Sequence, residues 1–474
     1  MSNHHPWISP TLVQALQGTL QGRSLVCLVD GEHYPPVTGQ AVQQLEELGA
    51  AVDALVFIGG TEKVENAREQ VAEAAPTADI YCAGEGFEDC LDEMCRALRE
   101  GHGEAVIDLS DEPVVSYEER FRIASRALAE DVPYAGADFL LTPPPAEDVL
   151  RKPGLSVIGT GKRVGKTAVG ASIGRILDRG GMDPVVLCMG RGGPPDPHYV
   201  NPREMTLDAD ALLDIAEEGG HAASDYWEEA LLSRVPTIGC RRCGGGMAGT
   251  PVTSNVIEGA RMAEQGEHRL VVLEGSGATF APVRTDRRIA VVGAGQPAEH
   301  VVGYLGRYRL LTSDLAIVTM CEKPTASPAK VRDLEERILD IKPDIEVALT
   351  VFRPQPLAPV EGREVFVATC APRRVTERIV RNLEDEHECR VRGYTSHLSD
   401  RDVLGEDLKG LLSSCDLLLT EIKAASIDVA ARAAKDKGVD VGFLHNQPVL
   451  VGGTVDDLDE SILGLCREAE GEAG

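Results

Sequence analysis

A glycine-rich stretch that begins at Gly159 has the residue types that hold phosphate groups. It reads Gly-Thr-Gly-Lys-Arg-Val-Gly-Lys-Thr, between an apolar run, Leu155–Ile158, and a helix-like run, Ala168–Leu177. Strand, glycine-rich turn, Gly-Lys-Thr and helix is the layout of a phosphate-binding P-loop. Backbone N–H groups of the turn and of the helix N-terminus would face an anion. Lys166 would reach the β- and γ-phosphates, and the Thr167 hydroxyl would ligate Mg²⁺.

The spacing of this loop departs from the usual pattern at one point. Counting back from Gly165, the first glycine should fall at Thr160, but it lies one residue earlier. A chance Gly-Lys-Thr is the alternative, and the flanking strand and helix argue against it. We expect Lys162 and Arg163 to act with Lys166 as catalytic cations. The expected nucleotide contacts are Gly159, Thr160, Gly161, Gly165, Lys166, Thr167 and Ala168.

Two acidic segments downstream are candidates for the metal contact. Arg269–Leu273 reads as a buried parallel strand and is followed by Glu274, at the strand end where P-loop proteins place a second magnesium contact. Asp208 and Asp210 precede an apolar helical run, where they could simply be favourable acids at a helix N-terminus. We predict that Thr167, Asp210 and Glu274 lie near one Mg²⁺, with Asp208 as the substitute for Asp210.

Arginines near these motifs are candidates for binding a phosphorylated substrate. Arg191 follows a predicted strand, and Arg241 and Arg242 precede a run of three glycines. Arginine makes bidentate contacts with phosphate, so a local group of arginines in an acidic chain favours an anionic ligand. Each of them alone could be a solvated surface residue. We predict that Arg191, Arg241 and Arg242 bind the substrate.

Composition narrows the class of protein. The formal net charge of −29 over 474 residues argues against nucleic-acid binding. No uncharged run of 18 apolar residues is present, and the N-terminus lacks the pattern of a signal peptide, so no membrane span is expected. Twelve scattered cysteines, mostly in apolar runs, fit reduced thiols. We expect a cytoplasmic protein, a homodimer, whose partner is a small phosphorylated molecule.

The order of strand and helix signals predicts an α/β protein built from three α/β units with parallel sheets. Residues 1–150 form a Rossmann-like α/β unit without a dinucleotide-binding glycine motif. Residues 151–343 form the central P-loop NTPase unit, and residues 344–474 form a C-terminal α/β unit. In the first unit, polar loops Asp30–Tyr34 and Gly59–Lys63 follow two strands. Their role is open, since they could bind a ligand or only cap the strands.

The central motifs resemble those of dethiobiotin synthetase. That family has a loop of the form Gly-Thr-x-x-x-Val-Gly-Lys-Thr, which Gly159 to Thr167 matches. It has an Asp-Ala-Leu segment with a metal-binding Asp, matched at Asp210, and a strand ending in Glu-Gly-x-Gly, matched from Glu274. The resemblance covers about residues 153–325 only, and this chain has a large segment on either side.

Over its whole length the chain is similar to the cyclic 2,3-diphosphoglycerate synthetase family. The similarity rests on Val29–Val37, Val56–Lys63, Gly159–Ala168 and Thr420–Asp428. It implies a ligase reaction in which ATP, with Mg²⁺, and 2,3-bisphosphoglycerate give the cyclic bisphosphate, ADP and phosphate. The implied route phosphorylates one substrate phosphate, and the other then closes the ring. Ring closure would profit from the high effective molarity of two groups held together.

Two other functions remain open from the residues alone. One is another ATP-dependent ligase or kinase of the dethiobiotin synthetase-like group, acting on a carboxylate or carbamate, whose pocket would need fewer cations. The second is a nucleotide-switch ATPase. Switch proteins often carry a lysine directly after the first glycine of the loop as counted from Gly165. That position is Gly161 here, which counts against a switch.

Overall fold

The computed structural model describes residues 8–60, 72, 75–82, 86–411, 414–423 and 425–472. Thr61, Glu62 and Lys63 of the second polar loop therefore lie outside the described residues. The chain divides into two compact units: Met1–Pro144 with Ala298–Thr312, and Pro145–Pro297 with Ser313–Gly474. The predicted α/β class with mostly parallel sheets is confirmed. The boundaries predicted at 150/151 and 343/344 stay a prediction.

The first unit is an open sheet with helices around it. Its strands are β1 Ser24–Val29, β2 Ala51–Phe57, β3 Asp79–Cys82, β4 Ala105–Asp108, β5 Tyr134–Ala135 and β6 Leu140–Leu141. Its helices are α1 Pro10–Gln17, α2 Pro35–Glu47, α3 Phe87–Arg99 and α4 Tyr117–Ala129, together with α9 Ala298–Val302 and α10 Gly306–Leu311. The strand order is β3-β2-β1-β4-β5-β6, parallel except for the last pair. β1 is apolar and almost fully buried, as expected for a central parallel strand.

The second unit begins with the P-loop elements. Its first strands are β7 Gly154–Gly159, β8 Pro184–Gly190, β9 His198–Val200, β10 Thr237–Cys243, β11 Thr253–Ser254, β12 Leu270–Glu274, β13 Arg287–Gly293 and β14 Leu315–Thr319. The helices among them are α5 Lys166–Arg179, α6 Ala209–Glu217, α7 Asp225–Ser233 and α8 Val256–Gln265. β7 lies between β12 and β13, and all three are parallel. These three strands are apolar and almost fully buried, as expected for parallel strands covered on both faces of the sheet.

The C-terminal elements continue the same sheet. The strands are β15 Glu346–Pro356, β16 Glu364–Ala368, β17 Arg390–Thr395, β18 Leu417–Thr420 and β19 Asp440–Gly453. The helices are α11 Pro328–Ile341, α12 Arg373–His387, α13 Arg401–Leu411, a π-helix Ser426–Ala431, α14 Arg432–Asp436 and α15 Leu458–Glu472. Within the described residues one 13-stranded sheet has the order β11-β10-β8-β12-β7-β13-β14-β15-β19-β18-β16-β17, with β9 beside β10.

Two long strands, β15 and β19, join the P-loop half of this sheet to its C-terminal half. Through them, the carboxyl edges of the two halves face each other. β15 is parallel to β14 as far as Leu349, and β19 is parallel to β18 as far as Phe443. Between these regions β15 and β19 pair antiparallel, with Phe352 opposite Pro448 and Pro356 opposite Leu444. The strands of the P-loop half and the strands β16 to β18 therefore point toward this middle segment from opposite sides. Ligands bind at the carboxyl edges of parallel sheets, so a site is expected between the two edges.

Candidate functional site

A cavity of about 1000 Å³ lies between the two facing edges. The P-loop residues from Gly161 to Thr167 line one side. Cys370, Glu421 and Lys423, which follow strands β16 and β18, line another side. Phe352 and Asn446, from the middle segment of β15 and β19, also line it. This volume suits ligands of nucleotide size.

The P-loop is fixed by the neighbouring strand ends. The Gly159 N–H donates to the Gly277 carbonyl at 3.0 Å, and the Thr160 N–H donates to the Val291 carbonyl at 3.0 Å. Gly165 has a φ of 84° and is the N-cap residue directly before helix α5. A Cβ at Gly165 would lie 2.4 Å from the Phe352 ring, so both the backbone angle and the space require glycine. The loop therefore presents its backbone to the cavity in a fixed shape.

Lys166, which lines the cavity, forms a buried ion pair with Glu274, which is not among the described lining residues. Lys166 Nζ lies 3.1 Å from Glu274 Oε2, and the two side chains are 13% and 2% exposed. Burial alone would lower the pKa of Lys166, but Glu274, Cys188 and Asp225 together outweigh burial, so that pKa lies above its usual value. Burial raises the pKa of Glu274, and Lys166 opposes the rise. Among the described residues, Glu274 Oε1 has no hydrogen-bond partner.

Helix α5 leaves space for the Glu274 carboxylate at one position. A Cβ built on Gly170 would lie 1.4 Å from Glu274 Oε1. Gly170 is one turn after Lys166 on the same helix, so the carboxylate packs directly on the helix backbone beside the lysine. Any larger residue at this position would displace Glu274. The glycine thus couples the end of β12 to the P-loop helix.

A second set of acids on helix α7 approaches the same region. Asp225 and Glu228 line the cavity, and the adjacent Glu229 is fully buried behind it. Glu228 Oε1 lies 3.4 Å from Lys423 Nζ. Burial raises the pKa of Glu228 to about 7, even though Lys423 opposes the rise. Burial, reinforced by Glu274, raises the pKa of Glu229 well above its usual range. The sequence motifs predicted neither Asp225 nor Glu228 as a residue of the cavity wall.

The structure places the other predicted metal ligand elsewhere. Asp210 is in the first turn of α6, is 64% exposed and pairs with Lys435. Asp208 begins the same helix, where its carboxylate accepts the Ala211 N–H at 3.0 Å. Within the described part of the chain, neither residue lines the cavity. Both have the local roles of helix-terminal acids, which was the alternative interpretation of this segment.

The predicted substrate arginines are divided in the same way. Arg191 lines the cavity, as do Lys162 and Arg163 of the loop, whereas Arg241 and Arg242 are not among its described lining residues. Arg242 Nη2 donates to the Ser276 carbonyl at 2.8 Å. Burial and the nearby Arg191 lower the pKa of Arg242. Arg241 is exposed at the end of β10.

Comparison with known proteins assigns the family. Three models of cyclic 2,3-diphosphoglycerate synthetase match successive parts of the chain: the N-terminal domain at residues 24–142, the P-loop domain at 154–351 and the C-terminal domain at 356–447. The chain belongs to the cyclic 2,3-diphosphoglycerate synthetase family. The recognition made from the sequence motifs, and the P-loop enzyme that it implied, are confirmed.

Individual relatives agree with this assignment. A cyclic 2,3-diphosphoglycerate synthetase of Rubrobacter xylanophilus is 48% identical over 443 residues, covering 93% of this chain and 97% of the relative. That of Methanothermus fervidus is 43% identical, with 94% and 97% covered. Among solved structures, LpxK from Aquifex aeolicus in complex with ATP aligns at a TM-score of 0.41 with 12% identity, covering 74% of this chain and 96% of LpxK.

The sequence motifs did not predict the cavity wall that the C-terminal half of the chain forms. Arg353, Arg378 and Arg381 line the cavity and come from β15 and α12. Their distance from the P-loop in sequence hid them, because only the antiparallel β15–β19 pair brings the second edge to the first. One signal was available: Lys423 lies in the Thr420–Asp428 motif that carried the family resemblance.

Within the described residues, no helix is long and apolar enough to cross a membrane.

Proposed function

We propose that this chain catalyses the ATP-dependent cyclisation of 2,3-bisphosphoglycerate. ADP and inorganic phosphate are the other products. The observation that carries the proposal is the cavity between the P-loop and a second cationic edge. Among the described residues, nine lysine and arginine side chains line it, in a chain whose formal net charge is −29: Lys162, Arg163, Lys166, Arg191, Lys323, Arg353, Arg378, Arg381 and Lys423. Two polyanions must meet in this reaction, and clustered cations offset their repulsion.

The reaction has two displacement steps. An oxygen of one substrate phosphate attacks the γ-phosphorus of ATP, the bond to the β-phosphate oxygen breaks, and ADP leaves. The second substrate phosphate then attacks the phosphorus of the activated phosphate within the same molecule. The bond to the added phosphoryl group breaks, and inorganic phosphate leaves. No covalent protein intermediate is required, because the protein's task is positioning and charge stabilisation.

The residues of the P-loop edge fit a nucleotide with Mg²⁺. In this proposal the loop backbone from Gly159 to Ala168 binds the phosphates, and Lys166 leaves Glu274 for them. The hydroxyl of Thr167 and the carboxylates of Glu274 and Asp225 would hold the ion. The pairing of Glu274 with Lys166, the residue before Thr167, supports this. When bound, Mg²⁺ neutralises the phosphate charge that builds up during transfer. The ligand predicted from the sequence was Asp210, and Asp225 is the better placed of the two because it lines the cavity.

The cations divide between the two ligands in this proposal. Lys162, Arg163 and Lys166 come from the loop itself and act on the transferred phosphoryl group. Arg191 lies near the Ser276–Gly277 turn, where a Cβ at Gly277 would be 3.1 Å from its Nη2. Arg241 and Arg242 are retained as predicted substrate residues. Arg242 donates to the Ser276 carbonyl at this turn, so it would reach an anion there more readily than the exposed Arg241.

The homodimer and the cytoplasmic location belong to the same proposal. All twelve cysteines are free thiols, which fits a reducing compartment. Sedimentation velocity of the purified chain tests the dimer.

Turnover read by ³¹P NMR tests the reaction. The protein is incubated with ATP, Mg²⁺ and 2,3-bisphosphoglycerate, and the resonances of a cyclic pyrophosphate, ADP and phosphate are followed. We expect the three products in equal amounts. The matched control replaces the substrate with 2-phosphoglycerate, which has no second phosphate to close the ring. Equal ATP consumption with both compounds, and no cyclic product, would contradict the proposal.

A further inference from the structure

Helix α12 turns a cationic face toward the P-loop cavity. Val375, Arg378, Arg381, Asn382 and Asp385 all line it. Their spacing of three and four residues places them on one side of the helix. Arg373 and Arg374 lie one turn earlier on the same helix and are not among the described lining residues.

A single carboxylate holds two of the guanidiniums on this wall. Arg353 Nη1 and Nη2 lie 2.8 and 3.3 Å from the two oxygens of Glu322, and Arg378 Nη2 lies 2.5 Å from Glu322 Oε2. These hydrogen bonds, opposing the effect of burial, hold the pKa of Glu322 below its usual value. Glu322 therefore stays ionised and fixes both arginines, while one positive charge is left over from the three groups.

Two further cations on the wall have no such anchor. Arg381 and Lys323 line the cavity, and within the described residues neither has a carboxylate partner within 4 Å. Arg381 is exposed on its helix and shares the face of Arg378. Together the α12 wall, defined as Lys323, Arg353, Arg378 and Arg381, has four cations against the lining carboxylates Glu322 and Asp385.

A nucleotide bound at the P-loop has no remaining negative charge to pair with this excess of positive charge. The triphosphate is already served by the loop backbone, by Lys166 and by the loop cations, and the base and ribose of ATP are uncharged. An arginine pair fixed by one carboxylate suits phosphate or carboxylate oxygens. The cavity volume of about 1000 Å³ leaves space for a small acid beside a nucleotide.

We infer that the α12 wall binds the anionic groups of the second substrate, with Arg381 in direct contact and Glu322 as the residue that positions Arg353 and Arg378. The inference rests on the proposed function and assigns the acceptor site within it. It moves the main substrate contacts from Arg241 and Arg242 to the C-terminal half of the chain. The bisphosphorylated acid then lies between the wall and the γ-phosphate.

Replacing Arg381 tests this assignment against a control on the same helix. Arg381→Ala should raise KM for 2,3-bisphosphoglycerate about tenfold, as expected for losing a hydrogen bond to a charged group, and should leave KM for ATP within about twofold. Arg381→Lys should recover only part of the loss, because a point charge cannot replace the bidentate fork. Arg374→Ala removes an exposed arginine of α12 outside the cavity lining and should match the parent protein.

A binding measurement separates this inference from the reaction itself. Calorimetric titration of 2,3-bisphosphoglycerate into the parent, Arg381→Ala and Glu322→Gln proteins, each with a non-hydrolysable ATP analogue, does not depend on turnover. Weaker binding in both variants supports the wall even if the parent forms no cyclic product, an outcome that would refute only the proposed function. Equal binding in Arg381→Ala and Arg374→Ala overturns the inference. A rise in KM for ATP alone also overturns it, because the wall would then serve the nucleotide.

Discussion

Buried carboxylates occur at the carboxyl edges of both sheets, but their surroundings differ. In the first unit, Asp30 and Asp108 follow or end the central strands and are almost fully buried. Asp30 accepts the N–H groups of Glu32 and His33 and the His33 ring nitrogen with one oxygen, and the Asp111 N–H with the other. Each oxygen of this carboxylate is therefore occupied.

Asp108 is satisfied in the same way. One oxygen accepts the backbone N–H and the hydroxyl of Ser110, and the other accepts Arg120 Nε at 3.0 Å and the Tyr134 hydroxyl at 2.6 Å. Such a network stabilises the loops that follow β1 and β4, because every buried acceptor has a donor. These contacts favour the interpretation in which the Asp30–Tyr34 loop caps the strand.

Two buried carboxylates of the second unit are incomplete by contrast, although Glu421, which follows β18, accepts the Cys370 N–H and the Asn446 amide with its two oxygens. Glu274 has a partner for one oxygen only, and neither oxygen of the fully buried Glu229 has a partner among the described residues. Leaving a buried polar atom without a partner costs free energy of about 1–3 kcal/mol. The second unit leaves these oxygens without donors among the described residues, whereas the first unit satisfies its buried carboxylates from its own backbone and side chains. Single substitutions in each network test this difference.

Lys166→Ala should give the largest effect. We expect kcat to fall by about 10²–10³-fold, because a charge contact made to the transferred phosphoryl group is lost. The protein should also lose stability, since removing one partner leaves Glu274 buried and uncompensated. The double variant Lys166→Ala with Glu274→Gln should regain stability but not turnover. Denaturant unfolding and ATP-dependent product formation measure the two effects separately. Near-normal turnover in the single variant would refute the P-loop assignment.

Glu228→Gln should change how stability depends on pH. The pKa of Glu228 is raised from 4.5 to about 7 in the folded protein, so between these values the folded state binds a proton that the unfolded state does not. Stability therefore falls as pH rises through this window, by about 3 kcal/mol in all. Subtracting the unfolding free energies of Glu228→Gln from those of the parent isolates this contribution.

The matched control for this experiment is Glu218→Gln, which changes an exposed acid at the end of α6. Its unfolding free energy should follow the parent at every pH. A Glu228→Gln curve parallel to that of the parent between pH 4.5 and 7 would show that Glu228 titrates normally in the fold.

Asp30→Asn tests the filled network. The amide keeps one acceptor but turns N–H groups toward donors such as the Asp111 N–H, so we expect a loss of about 1–3 kcal/mol. Hydrogen exchange should show the loss as faster exchange at the amides of Glu32, His33 and Asp111. Asp92→Asn, at an exposed position on α3, should leave exchange unchanged. Unaltered protection in Asp30→Asn would mean that the network adds nothing to the stability of this edge.

The sequence predicted local structure well wherever one short pattern determined it. Apolar patterning alone predicts a strand at Val52–Ile58 and a helix at Glu119–Glu130, and the structure has β2 Ala51–Phe57 and α4 Tyr117–Ala129 there. The P-loop and the strand ending at Glu274 were predictable for the same reason: apolar periodicity, glycine spacing and a terminal acid are all local signals.

Long-range features could not be predicted in this way. The local pattern at Asp440–Leu444 predicts only a short strand, but β19 continues to Gly453 because its second half pairs with β15. That pairing creates the second edge of the cavity, and nothing within residues 445–453 announces it. Asp210 shows that a local pattern can also suggest a site where the described part of the structure has none: its partner is Lys435, far away in the sequence. An acid near a helix start has the same local pattern whether it faces a metal or a surface lysine.

Asp225→Asn and Asp210→Asn form a matched pair with the smallest expected effects. Asp225 lines the cavity beside the P-loop, so its loss should lower kcat about tenfold, at the low end of the roughly 10–100-fold loss for residues that support a metal site, and raise the Mg²⁺ concentration needed for half-maximal rate. Asp210 makes an exposed ion pair with Lys435, and such pairs contribute about 0–1 kcal/mol. Asp210→Asn should therefore keep the parent's rate and Mg²⁺ dependence. The two curves of rate against Mg²⁺ decide which acid belongs to the metal site, and the reverse pattern would restore Asp210 to that role.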